Sequence, residues 1–298
     1  MTEPLILFVP GKHPKPPAAE HLALLRLAMA GGLRRIAATQ ANRLERCEQI
    51  LEVAPWNFSY YAEHRDESRD WPWIELMLER EAASLPEKQQ ARHWRTRMAG
   101  IWIGLADRFP WLIRWIPDPV VRESVADTWR YFCNQNKIAC RVREYVKAPL
   151  REAFAADREV LVIGHSMGSV IAYDALWELW HEEHNKGLVD FLTIGSPLGS
   201  HFVQCRLLGW ENGHGRRYPG NIGHWTNIAA EGDLVSLDKT LADDFSGMIG
   251  QYVRGDIIDI YENVYTWFRN EDGLNVHRSY GYLVHPEVSR VIAAFLAR

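Results

Sequence analysis

The chain has 298 residues, of which 47% are hydrophobic and 24% are charged, with a formal net charge of −4 at pH 7. That length can bury a large core, either in one α/β domain or in a core that carries a sizeable insertion. The slight acidity gives no electrostatic reason to bind nucleic acid. The short basic clusters, Lys12-His13-Pro14-Lys15 and Arg216-Arg217, are typical of solvated loops.

The termini and cysteines indicate the compartment. The four cysteines, at positions 47, 133, 140 and 205, lack metal-ligand or dense disulfide spacing, so we expect reduced thiols. The N-terminal apolar run is too short for a signal peptide, and no apolar stretch approaches the roughly 20 residues that span a bilayer. These features predict a soluble, cytoplasmic protein.

Short apolar runs alternate with helical patterns along the chain, which is typical of βαβ units and a parallel sheet. Six strands are predicted, at residues 5–9, 56–61, 160–163, 189–194, 224–229 and 256–260. The predicted helices include residues 18–29, 168–180 and 286–297. The expected fold class is therefore α/β, with about six mostly parallel strands flanked by helices.

The interval between the second and third predicted strands, residues 62–157, is too long for a plain connection and too apolar for a disordered one. Residues 64–130 are interpreted as a helical cap inserted into a core of residues 1–63 and 131–298. The interval contains seven of the chain's 13 tryptophans, at positions 71, 73, 94, 102, 111, 115 and 129. The aromatic stretch at 102–117 is a candidate for lining an acyl pocket or touching a membrane surface transiently. Packing within the insertion itself is an equally good interpretation.

One pentapeptide indicates a chemistry. Gly164-His165-Ser166-Met167-Gly168 follows an apolar strand and precedes a helical stretch, which is the pattern of a nucleophile elbow. A serine hydroxyl is a weak nucleophile in water, so it must lie on a sharp turn where a base and hydrogen-bond donors reach it. Glycine is expected on both sides because neighbouring backbone comes close. The alternative is an ordinary glycine-rich turn with a capping serine.

The acid partner is sought after Ser166, because elbow-bearing sheets place serine, acid and histidine in that order. Asp233 lies in a Glu-Gly-Asp turn after a predicted strand, at the sheet edge where open α/β folds bind ligands. Asp238 is the reserve candidate, while Asp243 and Asp244 indicate the start of another helix. A role for Asp233 in the turn alone is the alternative.

Five histidines follow the elbow helix, namely His201, His214, His224, His277 and His285. The first two precede the acid and His224 opens a strand, so none of them fits the loop ahead of the last helix. His277 lies in that loop and is the preferred base. His285 directly precedes Pro286, where it is placed to flank or cap the final helix, and remains the alternative.

Two backbone groups are candidates for binding an oxyanion. One is the N–H of Met167, at a helix N-terminus whose dipole favours negative charge. The other is the N–H of Lys12 in the loop after the first strand, where Gly11 permits the turn. No metal or cofactor is expected, because His181-Glu-Glu-His184 lacks zinc spacing and the glycine-containing loops lack the context of nucleotide sites.

Several segments together resemble a known superfamily. They are Phe8-Val-Pro-Gly11, Gly164-His-Ser-Met-Gly168, Thr193-Ile-Gly-Ser-Pro-Leu-Gly199, Trp225-Thr-Asn-Ile-Ala-Ala-Glu-Gly-Asp233-Leu-Val and Val276-His277-Arg-Ser-Tyr. On these residues the chain resembles the α/β-hydrolases, in particular lipase- and esterase-like serine hydrolases. The resemblance does not cover residues 64–130. The chain differs from the pattern of the superfamily at Pro10, where many relatives carry histidine, and at His13, where a second glycine is common.

The resemblance implies an ester or related acyl bond as substrate, no cofactor, an acid at the position of Asp233 and a His-x-x-Tyr segment at His277. With the motifs it predicts a carboxylic ester hydrolase that forms an acyl-enzyme on Ser166, with a small ester or lipid-like substrate. An acyltransferase, thioesterase or amidase would use the same residues. A non-catalytic interaction protein on a hydrolase fold is the alternative from another class.

Overall fold

The computed structural model describes residues 2–66, 70–93, 127–212, 215–250 and 256–298. Its main sheet has six strands in the order β2-β1-β3-β4-β5-β6, and every neighbouring pair is parallel. The strands are β1 (Leu5–Val9), β2 (Leu51–Val53), β3 (Val160–His165), β4 (Val189–Ile194), β5 (Ile222–Ile228) and β6 (Ile257–Ile260). The α/β fold class is confirmed.

Helices flank this sheet. They are α1 (Ala18–Arg34), α2 (Ala38–Arg46), α3 (Trp56–Tyr61), α4 (Asp70–Leu78), α5 (Leu85–Ala91), α6 (Ile138–Ala155), α7 (Met167–His181), α8 (His201–Gln204), α9 (Ser279–Leu283) and α10 (Pro286–Leu296). Residues 127–132 are also helical. A small antiparallel hairpin pairs β7 (Arg269–Asn270) with β8 (Gly273–Leu274).

The side chains of β1 alternate between two cores. Leu5, Leu7 and Val9 pack in the core that contains α6 and α7. Ile6 and Phe8 pack in the opposite core, with α1, α2 and α10. All five are fully buried, which explains why this strand is an unbroken apolar run and not an alternating pattern.

The strand order creates a crevice at one position. Strands β1 and β3 are neighbours, and their register places Val9 beside Gly164. Helices α1 and α7, which follow these strands, lie on opposite faces of the sheet. The two connecting loops therefore diverge, and open α/β sheets bind ligands at such a switch point, outside the carboxyl ends of the strands.

The predicted strands at 5–9, 160–163, 189–194, 224–229 and 256–260 are confirmed, with shifts at their ends. The predicted strand at 56–61 is wrong, because these residues form α3 and the second strand is Leu51–Val53. Trp56, Asn57 and Tyr60 are buried at helical spacing, while Phe58 is half exposed. Aromatic residues favour strands only where they pack on a pleated surface, and here they pack from a helix.

The helix expected to start at Asp243 is also wrong. Residues 242–245 form turns that lead into a short 3₁₀ helix, Ser246–Met248. The Asp244 carboxylate accepts a hydrogen bond from Gln204 Nε2 at 2.6 Å, so it joins this turn to α8.

The described part of the predicted insertion consists of α4, α5 and residues 127–132. Ile74 and Met77 of α4 pack in the same core as α1. Residues 67–69 and 94–126, and with them the aromatic stretch at 102–117 and four of the seven tryptophans, lie outside the described residues. The division into core and cap stays a prediction. In the described part of the chain, no helix is both long and apolar enough to cross a bilayer.

The end of α3 allows a test of its helical assignment. Ala62 caps this helix in the left-handed conformation, with φ of +58°. Glycine adopts that conformation without a Cβ penalty, so Ala62→Gly should raise the free energy of unfolding by about 0.5–1 kcal/mol in urea denaturation.

The matched control is Ala294→Gly, which changes an exposed alanine inside α10. It should lower the free energy of unfolding by about 1 kcal/mol. Equal losses in both variants would contradict the left-handed cap at Ala62.

Candidate active site

Ser166 lies on the turn between β3 and α7, with φ of +53° and ψ of −130°. A residue with a side chain rarely adopts this conformation, which costs on the order of 1–3 kcal/mol. Its neighbours hold it there. The Ser166 N–H donates to the Ile194 carbonyl at 3.1 Å, and Ser169 Oγ donates to the Ser166 carbonyl at 2.6 Å.

Two glycines make the turn possible. A Cβ at Gly164 would lie 2.6 Å from the Cα of Ser169, and a Cβ at Gly168 would lie 2.1 Å from the carbonyl oxygen of Val9. Both positions are closed by backbone that cannot move aside. The glycine spacing read from the sequence therefore has a steric cause in this structure.

The structure brings Ser166, His277 and Asp233 together, although they are far apart in the chain. His277 Nε2 lies 2.9 Å from Ser166 Oγ, and His277 Nδ1 lies 2.8 Å from Asp233 Oδ2. Because the carboxylate only accepts, Nδ1 carries the proton and Nε2 accepts from the Ser166 hydroxyl. The imidazole is thus oriented with its free lone pair on the serine.

Asp233 is a buried charge with three donors. Its side chain is fully buried, and it accepts hydrogen bonds from His277, from the Tyr282 hydroxyl at 2.7 Å and from the Val235 N–H at 2.9 Å. Burial by itself would raise the pKa of Asp233, but the charge of His277 and these hydrogen bonds together lower the pKa to about 2. The carboxylate is therefore ionised at neutral pH.

The sequence motifs do not indicate two further residues of this site, Tyr282 and Gly195. Tyr282 both donates to Asp233 and accepts from the Ala230 N–H at 2.9 Å, so it ties the acid to its own turn. Gly195 has φ of +54°, and a Cβ there would lie 2.9 Å from Asp233 Oδ2. Tyr280, the tyrosine of the His-x-x-Tyr segment, packs against Phe268.

His165, inside the elbow motif, also contacts the candidate base. Its ring lies 4.8 Å from the ring of His277, and its Nε2–H donates to the His277 carbonyl at 2.8 Å. Burial, followed by the charge of His277, lowers the pKa of His165 well below its usual value. His165 is therefore neutral, and it holds the backbone of the His277 loop against the elbow.

Gly11 and Lys12 lie in the loop after β1, on the other side of Ser166. A Cβ at Gly11 would lie 2.9 Å from Ser166 Cβ, so this loop packs directly on the serine. Lys12 and Met167 line a cavity of about 10 Å³ between α3 and α7, about the space of one water molecule. Both predicted oxyanion donors thus belong to residues beside Ser166.

A larger cleft lies next to the acid and the histidine. It has a volume of about 280 Å³ and is lined by residues 232–235, Asn270 and residues 272–277, which include part of the β7–β8 hairpin. Its walls are part polar, with Asn270 and Asn275, and part apolar, with Leu234 and Leu274. This cleft is large enough to hold part of a small molecule beside His277.

The reserve candidates have other partners. Asp238 accepts from the N–H and hydroxyl of Thr240, at 3.3 and 3.2 Å. His285 is the N-cap of α10, where its Nδ1 accepts from the Glu287 N–H at 3.3 Å and burial lowers its pKa to about 4. The structure therefore favours Asp233 and His277 as the partners of Ser166.

The other histidines that the sequence does not favour as the base lie away from Ser166 or have other partners. His201 starts α8, and His224 lies 2.9 Å from Asp190 on β4, while His214 lies outside the described residues. His181 Nε2 donates to the Tyr218 carbonyl at 2.8 Å. Across the described ranges, no group of three histidine, cysteine, aspartate or glutamate side chains could hold a metal ion.

The arrangement supports nucleophilic chemistry. An ionised, buried carboxylate orients an imidazole, and the imidazole accepts from a serine hydroxyl raised on a strained turn. Such a serine can attack an electrophilic carbonyl or phosphorus centre. In comparisons with known proteins, no family model, no curated protein and no solved structure matches the chain.

The low pKa of Asp233 predicts a pH-dependent contribution to stability. The folded-state pKa of about 2 lies below the ordinary value of 3.8, so the carboxylate stabilises the fold fully above that value and loses the effect as pH falls toward 2. Asp233→Asn removes this contribution. The stability difference between wild type and variant should shrink by about 2 kcal/mol between pH 5 and pH 2.

Urea denaturation at several pH values measures this difference, with far-UV circular dichroism as the probe. A difference that stays constant across the range would show that the pKa of Asp233 is not depressed in the folded protein.

Proposed function

We propose that this chain is a serine hydrolase of the α/β-hydrolase superfamily that cleaves carboxylic esters. One observation carries the proposal: the hydrogen-bonded series Asp233, His277 and Ser166, with the serine on a strained turn at the carboxyl end of a parallel strand. The sequence motifs support the family, since they place these three residues in the order that this superfamily uses.

The geometry suggests the following reaction. Ser166 Oγ attacks the ester carbonyl while His277 Nε2 takes the hydroxyl proton, and Asp233 stabilises the imidazolium through Nδ1–H. The N–H groups of Met167 and Lys12 bind the oxyanion of the tetrahedral intermediate. His277 then gives its proton to the leaving alcohol, and an acyl group remains on Ser166. A water molecule, activated by His277 in the same way, releases the acid.

The substrate that we propose is a small ester or a lipid-like molecule, and the proposed location is cytoplasmic. Transfer to an alcohol or thiol, or cleavage of a thioester or amide, would proceed through the same acyl-enzyme. A purely non-catalytic role would leave the strain at Ser166 and the buried charge of Asp233 without a purpose, because both are costly to maintain.

The direct test uses a fluorophosphonate probe and a series of p-nitrophenyl esters of increasing acyl length. Wild type should be labelled at Ser166 and should hydrolyse at least one ester, while Ser166→Ala should lose labelling and at least about 10⁴-fold in kcat. Labelling that is unaffected by Ser166→Ala, or the absence of Ser166-dependent hydrolysis throughout the series, would rule out the proposal.

Matched pairs test the two partners of the serine. His277→Gln and Asp233→Asn should each lower kcat by about 10⁴-fold, because the proton acceptor or its orientation is lost. His285→Gln and Asp238→Asn change the same residue types at the positions that the structure places elsewhere, and they should retain kcat. Reversed results would move the base to His285 or the acid to Asp238.

A further inference from the structure

The loop after β1 is held by side chains of α3. Trp56 Nε1 donates to the Pro10 carbonyl at 2.9 Å. The Asn57 side-chain amide donates to two carbonyls, those of Gly11 and His13, each at 2.8 Å. Three residues of the loop, Pro10, Gly11 and His13, are therefore bound through their carbonyls to a helix that is only six residues long.

These contacts set the direction of the backbone N–H groups. In a trans peptide, the carbonyl of one residue and the N–H of the next point in opposite directions. Because the Pro10 and Gly11 carbonyls point at α3, the N–H groups of Gly11 and Lys12 point away from it. The His13 N–H, in contrast, hydrogen-bonds to the Tyr61 hydroxyl of α3.

The loop thus has one side bound to α3 and another side that packs on the serine. Gly11 is the point of closest approach, since a Cβ there would lie 2.9 Å from Ser166 Cβ and 2.8 Å from His165 Nδ1. His13 adopts φ of +73°, the left-handed conformation in which a glycine is ordinarily preferred. The Asn57 bond to its carbonyl holds this conformation without a glycine.

We propose that Asn57 is a positioning residue for the oxyanion site: its side-chain amide fixes the Gly11 and His13 carbonyls so that the Lys12 N–H faces the reacting carbonyl beside Ser166. The inference rests on the proposed function, and it assigns to Asn57 the shaping of a loop that lacks the histidine and second glycine of similar hydrolases. Asn57 itself touches no substrate.

The placement of Asn57 supports a role specific to this loop. Asn57 is 2% exposed, and within the described residues its Oδ1 has no hydrogen-bond partner. A buried polar atom without a partner costs on the order of 1–3 kcal/mol, so an apolar side chain of similar volume would suit the packing alone. An apolar side chain could not make the two hydrogen bonds that Asn57 Nδ2 donates to the loop.

The test compares Asn57→Leu with a matched control, Asn221→Leu. Asn221 is equally buried, its Nδ2 donates to the Leu176 carbonyl at 3.1 Å, and its Oδ1 also lacks a partner within the described residues. It directly precedes β5, at the opposite end of the strands from Ser166. The control therefore reproduces the loss of a buried amide without touching the loop.

Asn57→Leu should lower kcat for a p-nitrophenyl ester by about 10²-fold with KM unchanged. The displaced N–H donor would stabilise the transition state less well, while substrate binding would not change. Inhibition by phenylboronic acid, which forms a tetrahedral adduct on the serine, should weaken by a similar factor. Asn221→Leu should keep kcat within about threefold of wild type even if its melting temperature falls equally.

Three results would overturn the inference: kcat of Asn57→Leu within threefold of wild type, a kcat loss without weaker boronate inhibition, or an equal loss in Asn221→Leu. If Asn57→Leu does not fold, Asn57→Ser, which is polar but too short to reach both carbonyls, takes its place under the same criteria. Wild type and Ser166→Ala are assayed in parallel with the same ester. If wild type and Ser166→Ala are equally active, the proposed function is rejected. If wild-type activity depends on Ser166 but the Asn57 variants are unaffected, only the inference about Asn57 is rejected.

Discussion

The close approach of α7 to the end of β1 is the constraint on which the site depends. The backbone at Gly168 lies so near the Val9 carbonyl that no Cβ fits between them. This packing forces the sharp turn at Ser166, with its positive φ, and brings the loop containing Gly11 against the serine. One steric contact therefore determines both the position of the Ser166 hydroxyl on its turn and the packing of the Gly11 loop beside it. Any residue larger than glycine at position 168 would separate the helix from the sheet.

A second requirement is electrostatic. Asp233 is a charge without access to water, and it is stable there because it accepts from His277, Tyr282 and the Val235 N–H. The same bonds fix the tautomer of His277. The neutral ring of His165 lies 4.8 Å from that ring, tilted by 35°, so it packs against the candidate base without placing a positive charge beside it. Stabilisation of the buried charge and orientation of the candidate base thus share one set of hydrogen bonds.

Much of the fold could be predicted because its signals are local. Buried parallel strands are short apolar runs, and five of the six were found in this way. The failure at residues 56–61 has a physical cause: aromatic side chains do not reveal from the sequence whether they pack from a strand or from a helix. Because of that error the contacts of Asn57 with the loop after β1 could not be predicted, since they exist only when Trp56–Tyr61 is helical.

By itself, the sequence determined the elbow and singled out Ser166, Asp233 and His277, because glycine spacing and chain order are properties of the sequence. Only the tertiary structure decided which side chains surround them. Tyr282 reaches the acid, Gly195 leaves room for that carboxylate, and Asn57 holds the loop after β1. These partners are distant in the chain. A hydrogen bond depends on distances of about 3 Å, which only the packed fold defines.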